Sequence, residues 1–227
     1  MNAAAVQEER GPRVRRNTVA AVARVFRHAT LSPPSPVPRQ FYRDSRYTGG
    51  DAIRYEIAGQ IFLATVQAAR RHREFSMLDP EEQNRILRRG WAAAFVLRAA
   101  IWPVDLTNFR NAQQRDTARL AISAARATIS NLRPDRIEFS ILETLLLCRP
   151  ELAETTNGFR LTSRATDTAV GTLVRHLAGR TESSARMVKL MLVLPILTAS
   201  CPRELASDLF APVIGDIDLE RMIASVR

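Results

Sequence analysis

Disulfide and zinc chemistry are the first things this sequence lacks. Its two cysteines, Cys148 and Cys201, cannot by themselves build a disulfide framework or a four-cysteine zinc site. Aromatic residues are only 6% of the chain and β-branched runs are scarce, which argues against a β-sandwich or barrel. No apolar stretch approaches the ~20 residues that cross a bilayer. The N-terminus also has no uninterrupted apolar core of a secretory signal. The chain therefore reads as soluble and intracellular, with no membrane partner. Its three histidines, His28, His72 and His176, stand far apart with no carboxylates at ligand spacing. No phosphate-binding glycine loop, nucleophile elbow or His-Glu-x-x-His motif occurs. Nothing here advertises an enzyme, and no cofactor is expected in this chain.

What the chain has instead is arginine. Lys189 is the single lysine among 33 basic residues, and the formal net charge is +10 over 227 residues. The excess is uneven. Residues 1–50 carry nine arginines against Glu8, Glu9 and Asp44, a net +6, which leaves +4 for the other 177 residues. A basic arm before a nearly balanced domain suits an anionic partner, with nucleic acid the leading candidate. Arg10, Arg13, Arg15 and Arg16 are its candidate contacts. Pro33, Pro34, Pro36 and Pro38 follow, then Gly49-Gly50. Prolines withhold backbone donors and favour extended, solvated chain. Residues 1–50 are thus expected to be a basic arm and Pro-rich hinge, mostly disordered.

From Asp51 onward the apolar residues take helical spacing. Ile57, Ile61, Ala64 and Ala68 share a stripe, with Phe62 and Val66 beside it, predicting a helix over about 53–73. Asp79-Pro80-Glu81-Glu82 looks like a helix start, with Asp79 as N-cap, Pro80 in the first turn and Glu82 at the capping-box position. That helix runs to Ile101, and Pro103 ends it. Further helices are expected at about 111–131, 135–148, 163–179, 182–199, 202–210 and 218–226, with a kink at Pro195. Cys148, after Leu145-Leu146-Leu147, reads as a core thiol, and Cys201 is read the same way. The fold class is all-α, with helices stacked in layers.

Three stretches resemble the ligand-binding domain of nuclear receptors. Phe75-Ser76-Met77-Leu78, then Glu82-Gln83, Ile86-Leu87, Trp91, Phe95-Val96-Leu97 and Trp102, is similar to the family signature joining the third helix to the fourth and fifth. Asp135 through Leu147 to Arg149-Pro150-Glu151 resembles the eighth helix. Arg186-Met187-Val188-Lys189-Leu190 through Leu194-Pro195-Ile196-Leu197 resembles the tenth and eleventh helices. Met1-Asn2 with Ala5-Val6-Gln7 and Glu9-Arg10-Gly11-Pro12-Arg13, and Leu209-Phe210 with Ile214-Gly215-Asp216 and Met222-Ile223, resemble the tailless-like orphan receptors.

The resemblance implies a layered helical sandwich over 51–227 and a nuclear transcription regulator acting as a repressor. It implies a surface groove for coregulator helices, with corepressors of the atrophin type as partners. Val66, Gln83, Ile86 and Leu87 would form its floor, Met222 and Ile223 would come from the last helix, and Arg70 would be the cation at one end. A bound helix leaves unpaired carbonyls at its C-terminal end, and such a cation satisfies them. The usual acidic partner on the last helix corresponds to Ser225, Ala93 stands where many members have Glu, and Arg88-Arg89 replaces a commonly acidic pair. The family also pairs through the helix bearing Met187, Leu190, Met191, Leu194 and Leu197, as a homodimer or receptor heterodimer. Its inner pocket can hold a small apolar ligand. The family's DNA-binding domain, with its two zinc ions, is missing from this sequence, so DNA would be reached through that domain. The competing expectation is a helical scaffold that binds proteins and neither DNA nor ligand.

Overall fold

The structure is a computed structural model that describes residues 49–108, 117–211 and 219–226. The arm arginines, and the Ile214-Gly215-Asp216 stretch, lie outside the described residues. Among the described residues the chain forms eight α-helices and no strand, in keeping with the all-α expectation. They are α1 (Gly49–Arg71), α2 (Pro80–Ile101), α3 (Thr117–Leu132), α4 (Arg136–Leu147), α5 (Thr156–Leu177), α6 (Ser183–Thr198), α7 (Pro202–Leu209) and α8 (Leu219–Ser225). Three single 3₁₀ turns, Phe75–Met77, Leu106–Asn108 and Pro150–Leu152, sit in the connections. No single described helix is long and apolar enough to cross a membrane.

α2 is the central element, packed against α1, α3, α4, α6, α7 and α8. Its apolar residues run almost around the helix. Ile86, Leu87, Trp91, Phe95, Val96 and Leu97 are all 2% exposed or less. Trp91 and Phe95 join Phe62 of α1 and Phe210 after α7 in an aromatic cluster, with ring centroids 5.3–6.1 Å apart and mostly edge-to-face, the arrangement that ring quadrupoles favour. The buried stripe of α1 is Ala58, Ile61, Phe62, Thr65, Val66 and Ala69. It is rotated from the expected one, since Ile57, Ala64 and Ala68 are only half-buried.

Asp79 caps α2 as its sequence suggests, accepting from Glu81 N and Glu82 N. Glu82 does not complete a capping box. Its carboxylate is fully buried and reaches across to accept from Glu154 N (2.8 Å) and Thr155 N (3.2 Å), with Arg85 Nη1 donating at 3.2 Å. This long-range use explains why α5 starts seven residues before its expected position. Thr155 is the N-cap, accepting from Gly158 N, and Gly158 is the residue against which Glu82 lies. α4 does have the complete box: Asp135 accepts from Ile137 N and Glu138 N while Glu138 Oε2 accepts from Asp135 N. α6 runs unbroken through Pro195, and the sharp turn, 63°, comes between α6 and α7. Cys148 is buried as expected, but Cys201, at that turn, is exposed. A residue just before a helix starting with proline has no neighbouring turn to cover it.

The two glycines of α5 predict opposite outcomes for the same change. A Cβ on Gly158 would lie 2.2 Å from Glu82 Oε1, whereas one on Gly171 meets only Arg175 Nη1 at 3.5 Å. The Glu82 carboxylate cannot swing aside without abandoning its donors. Gly158→Ala should therefore destabilise by about 1–3 kcal/mol. Gly171→Ala should stabilise by roughly 0.5–1 kcal/mol, because it removes backbone freedom from the unfolded chain. Urea unfolding of both variants checks the sign.

Candidate functional site

Arg70, in the last turn of α1, points across the start of α2 to the last helix of the chain. Its Nη1 donates to Gln83 Oε1 (2.9 Å) and its Nη2 to Asn84 Oδ1. The same guanidinium donates through Nη2 to Ile223 O (3.1 Å) and through Nε to Val226 O (3.2 Å). Gln83 is itself held by its amide, which donates to Leu78 O at 2.8 Å. These four acceptors are neutral oxygens. Burial pulls the Arg70 value below that of free arginine, yet a guanidinium keeps its proton, so its charge faces the carbonyl end of α8. There the helix dipole is negative, and Ile223 O, which already accepts from Val226 N, takes the guanidinium as a second donor.

Around this contact the expected groove residues do gather. Val66, Ile86 and Leu87 are fully covered, Gln83 is buried, Ile223 is 1% exposed and Met222 is half-buried against the core. The chain's own last helix packs against α2 here. At the other end of α8, Glu220 lies in the first turn with Oε2 3.4 Å from Arg88 Nε. Ser225 faces solvent and donates to Met222 O, so it makes no contact of the kind an acidic residue would make there.

A second polar cluster was not visible in the sequence. Asp135, Glu138 and His176 bring three potential metal-ligand atoms within 4.8 Å of one another. His176 Nε2 lies 2.8 Å from Asp135 Oδ2, a pairing across 41 residues that ligand spacing in the sequence does not show. Their lone pairs are already engaged by two guanidiniums. Arg186 grips Glu138 through Nε (2.9 Å) and Nη2 (2.6 Å), and Arg180 reaches Asp135 at 3.3 Å. Two resident cations make this an ion-pair network rather than a cation site. Arg186 also donates to Leu132 O (2.6 Å) and Arg133 O (3.3 Å). It thereby satisfies the carbonyl end of α3, where Arg133 turns left-handed with φ 45°. The signal was there only as an arginine opening an apolar helix. Hydrogen bonding from Arg186 lowers the Glu138 carboxyl. Burial pushes Asp135 up, but hydrogen bonds from Glu138 N–H, His176 and Arg180 outweigh it and take the carboxyl down to about 2.

The expected pairing residues divide between core and surface. Leu190 and Leu197 are 1% and 0% exposed within a single chain, so they have no area left to offer a partner. Met187, Met191 and Leu194 are half-buried against the same core. The outward apolar residues of α6 are Val188 and Leu192, 56% and 62% exposed. Among the described residues, a cavity lined by Thr65, Ala69, Leu97, Arg98, Glu143 and Leu146 measures about 10 Å³, about the room one water needs. Neither the protein-family models nor the curated proteins contain a match to this chain.

The Asp135 network sets a pH dependence with a definite sign. Its folded-state value lies below the ordinary carboxylate value of 3.8. The contribution is therefore fully present above about pH 4 and is lost as pH falls toward 2. Asp135→Asn keeps an N-cap but removes the charge. Its stability deficit against the unmodified chain should shrink as pH falls below about 4, as read by urea midpoints at each pH.

Proposed function

We propose that this chain is a nuclear receptor-type transcription regulator, a repressor, whose α1–α2 face binds short amphipathic helices of coregulators. One observation carries the reading: Arg70 donates to Ile223 O and Val226 O at the carbonyl end of a short amphipathic helix lying against that face. A surface that satisfies the carbonyl end of one such helix can do so for another, because those carbonyls are backbone and carry no sequence. In the resting chain α8 is the occupant, and a corepressor helix of the atrophin type exchanges with it. The nuclear site, the DNA contact through a separate zinc domain and the pairing with a second receptor chain belong to the same reading. No catalytic step is part of it.

Exchange has a thermodynamic consequence. A groove that is open for only a fraction of the time binds with affinity reduced by that fraction. Removing residues 217–227 should strengthen binding of a labelled corepressor helix at least tenfold in fluorescence anisotropy. Arg70→Glu should weaken the same peptide in the shortened chain by about ten- to a hundredfold, since a charge-assisted contact is worth about 1.5–3 kcal/mol. If both changes leave affinity untouched while the helical fold is kept, the groove reading falls and a protein-binding scaffold replaces it.

Pairing through α6 is tested on the residues that face outward. Val188→Glu with Leu192→Glu should keep the fold and give a monomer in sedimentation. Leu190→Glu, at a fully buried position, should unfold the chain instead. A chain that sediments as a monomer before any substitution would rule self-pairing out.

A further inference from the structure

α8 displays what its seat accepts. Leu219, Met222, Ile223 and Val226 follow at spacings of three, one and three residues. Ile223 and Val226 are buried, while Leu219 and Met222 pack half-buried against the core. Glu220 lies on the exposed side of the first turn, next to Arg88. Arg70 stands at the carbonyl end, so this seat presents a cation at both ends.

The second cation is the unusual one. The amide end of a helix is itself positive, and Arg88 beside it would repel a helix that brought no anion. Neighbouring arginines do not share this need. Arg85 pairs with Glu81 and Glu82, and Arg89 pairs with Glu154 at 2.8 Å, all outside α8. Of these three arginines, only Arg88 takes its carboxylate from α8.

Resting on the groove reading above, we infer that the partner helix carries an acidic residue in its first turn, read by Arg88, followed by apolar residues in the register of Met222, Ile223 and Val226. Arg70 then fixes the end of the helix, and Arg88 selects among helices that share the apolar pattern. Both partners of the Arg88–Glu220 contact are about half exposed. The discrimination is therefore moderate and screened by salt.

The test uses the full chain carrying Ile223→Ala, which loosens α8 without changing charge. Two labelled helical peptides reproduce residues 219–226 on an alanine-rich frame, one unchanged and one with Glu220→Lys. The unchanged peptide should bind about threefold to tenfold tighter, with the gap closing in high salt. Adding Arg88→Glu to the protein should reverse the order, and adding Arg70→Glu should weaken both peptides. Equal affinity for the two peptides, unaltered by Arg88→Glu while Arg70→Glu still weakens both, overturns the acidic rule and leaves the groove standing. Binding of neither peptide overturns the groove and this inference together. Release of a self-associated chain by the peptides would assign the seat to α8 of a second copy and likewise overturn it.

Discussion

α2 has to be surrounded. Thirteen of its 22 residues are buried, far more than one amphipathic face requires, and a helix apolar around most of its girth is stable only inside other helices. Six neighbours supply that cover, and each must reach α2 without stranding polar ends. The N-terminal turn shows how this is met. Asp79 takes two of the amides, and Glu82 carries a charge inward but hands it to backbone donors ahead of α5. Further along, Arg98 pairs with Glu143 of α4. The aromatic cluster of Phe62, Trp91, Phe95 and Phe210 then fixes where α1 and α7 sit against it.

The same device secures two corners of this framework. Arg186 gathers the last carbonyls of α3 while gripping Glu138 at the start of α4. Arg70 gathers the last carbonyls of α8 while lodged between Gln83 and Asn84. Both tasks need several donors in fixed directions from one side chain, which a planar guanidinium offers and a lysine ammonium does not. The preference for arginine thus has structural uses here, whatever else shaped the composition. The two corners differ in what they hold. Glu138 neutralises Arg186, whereas the acceptors of Arg70 are neutral, leaving its charge for whichever helix end lies in front of it.

The local rules were the legible part. Asp79 and Asp135 announced two helix starts because an N-cap acts within three residues, and Ile86, Leu87, Trp91 and Phe95 showed their periodicity openly. Contacts between distant segments were not legible. Glu82 had the right spacing for a capping box, but its carboxylate found amides 72 and 73 residues away. Gly158 fell ahead of the expected start of α5, and only the nearness of Glu82 makes a glycine there necessary. In α6 the apolar stripe could be seen but not divided, because periodicity tells which residues share a face and not how many neighbours that face has. Arg70 was expected at the carbonyl end of a partner's helix, and it lies at a carbonyl end of this chain. That this end belongs to the chain's own last helix depends on how the segment after α7 runs, which no spacing encodes.

The two cysteines end up in opposite surroundings. Burial, with Glu74 nearby, pushes the Cys148 thiol up to about 12, so almost none of it is thiolate near neutrality and its sulfur is shut away at 1% exposure. Cys201 stands in the open at the turn between α6 and α7. Only the thiolate reacts with maleimides and disulfide reagents. The native fold therefore makes a two-cysteine sequence behave as a one-cysteine protein. A dye added to the unmodified chain would settle on one point, next to the helix that carries Val188 and Leu192, and a second equivalent of label would report that the core around α4 had opened.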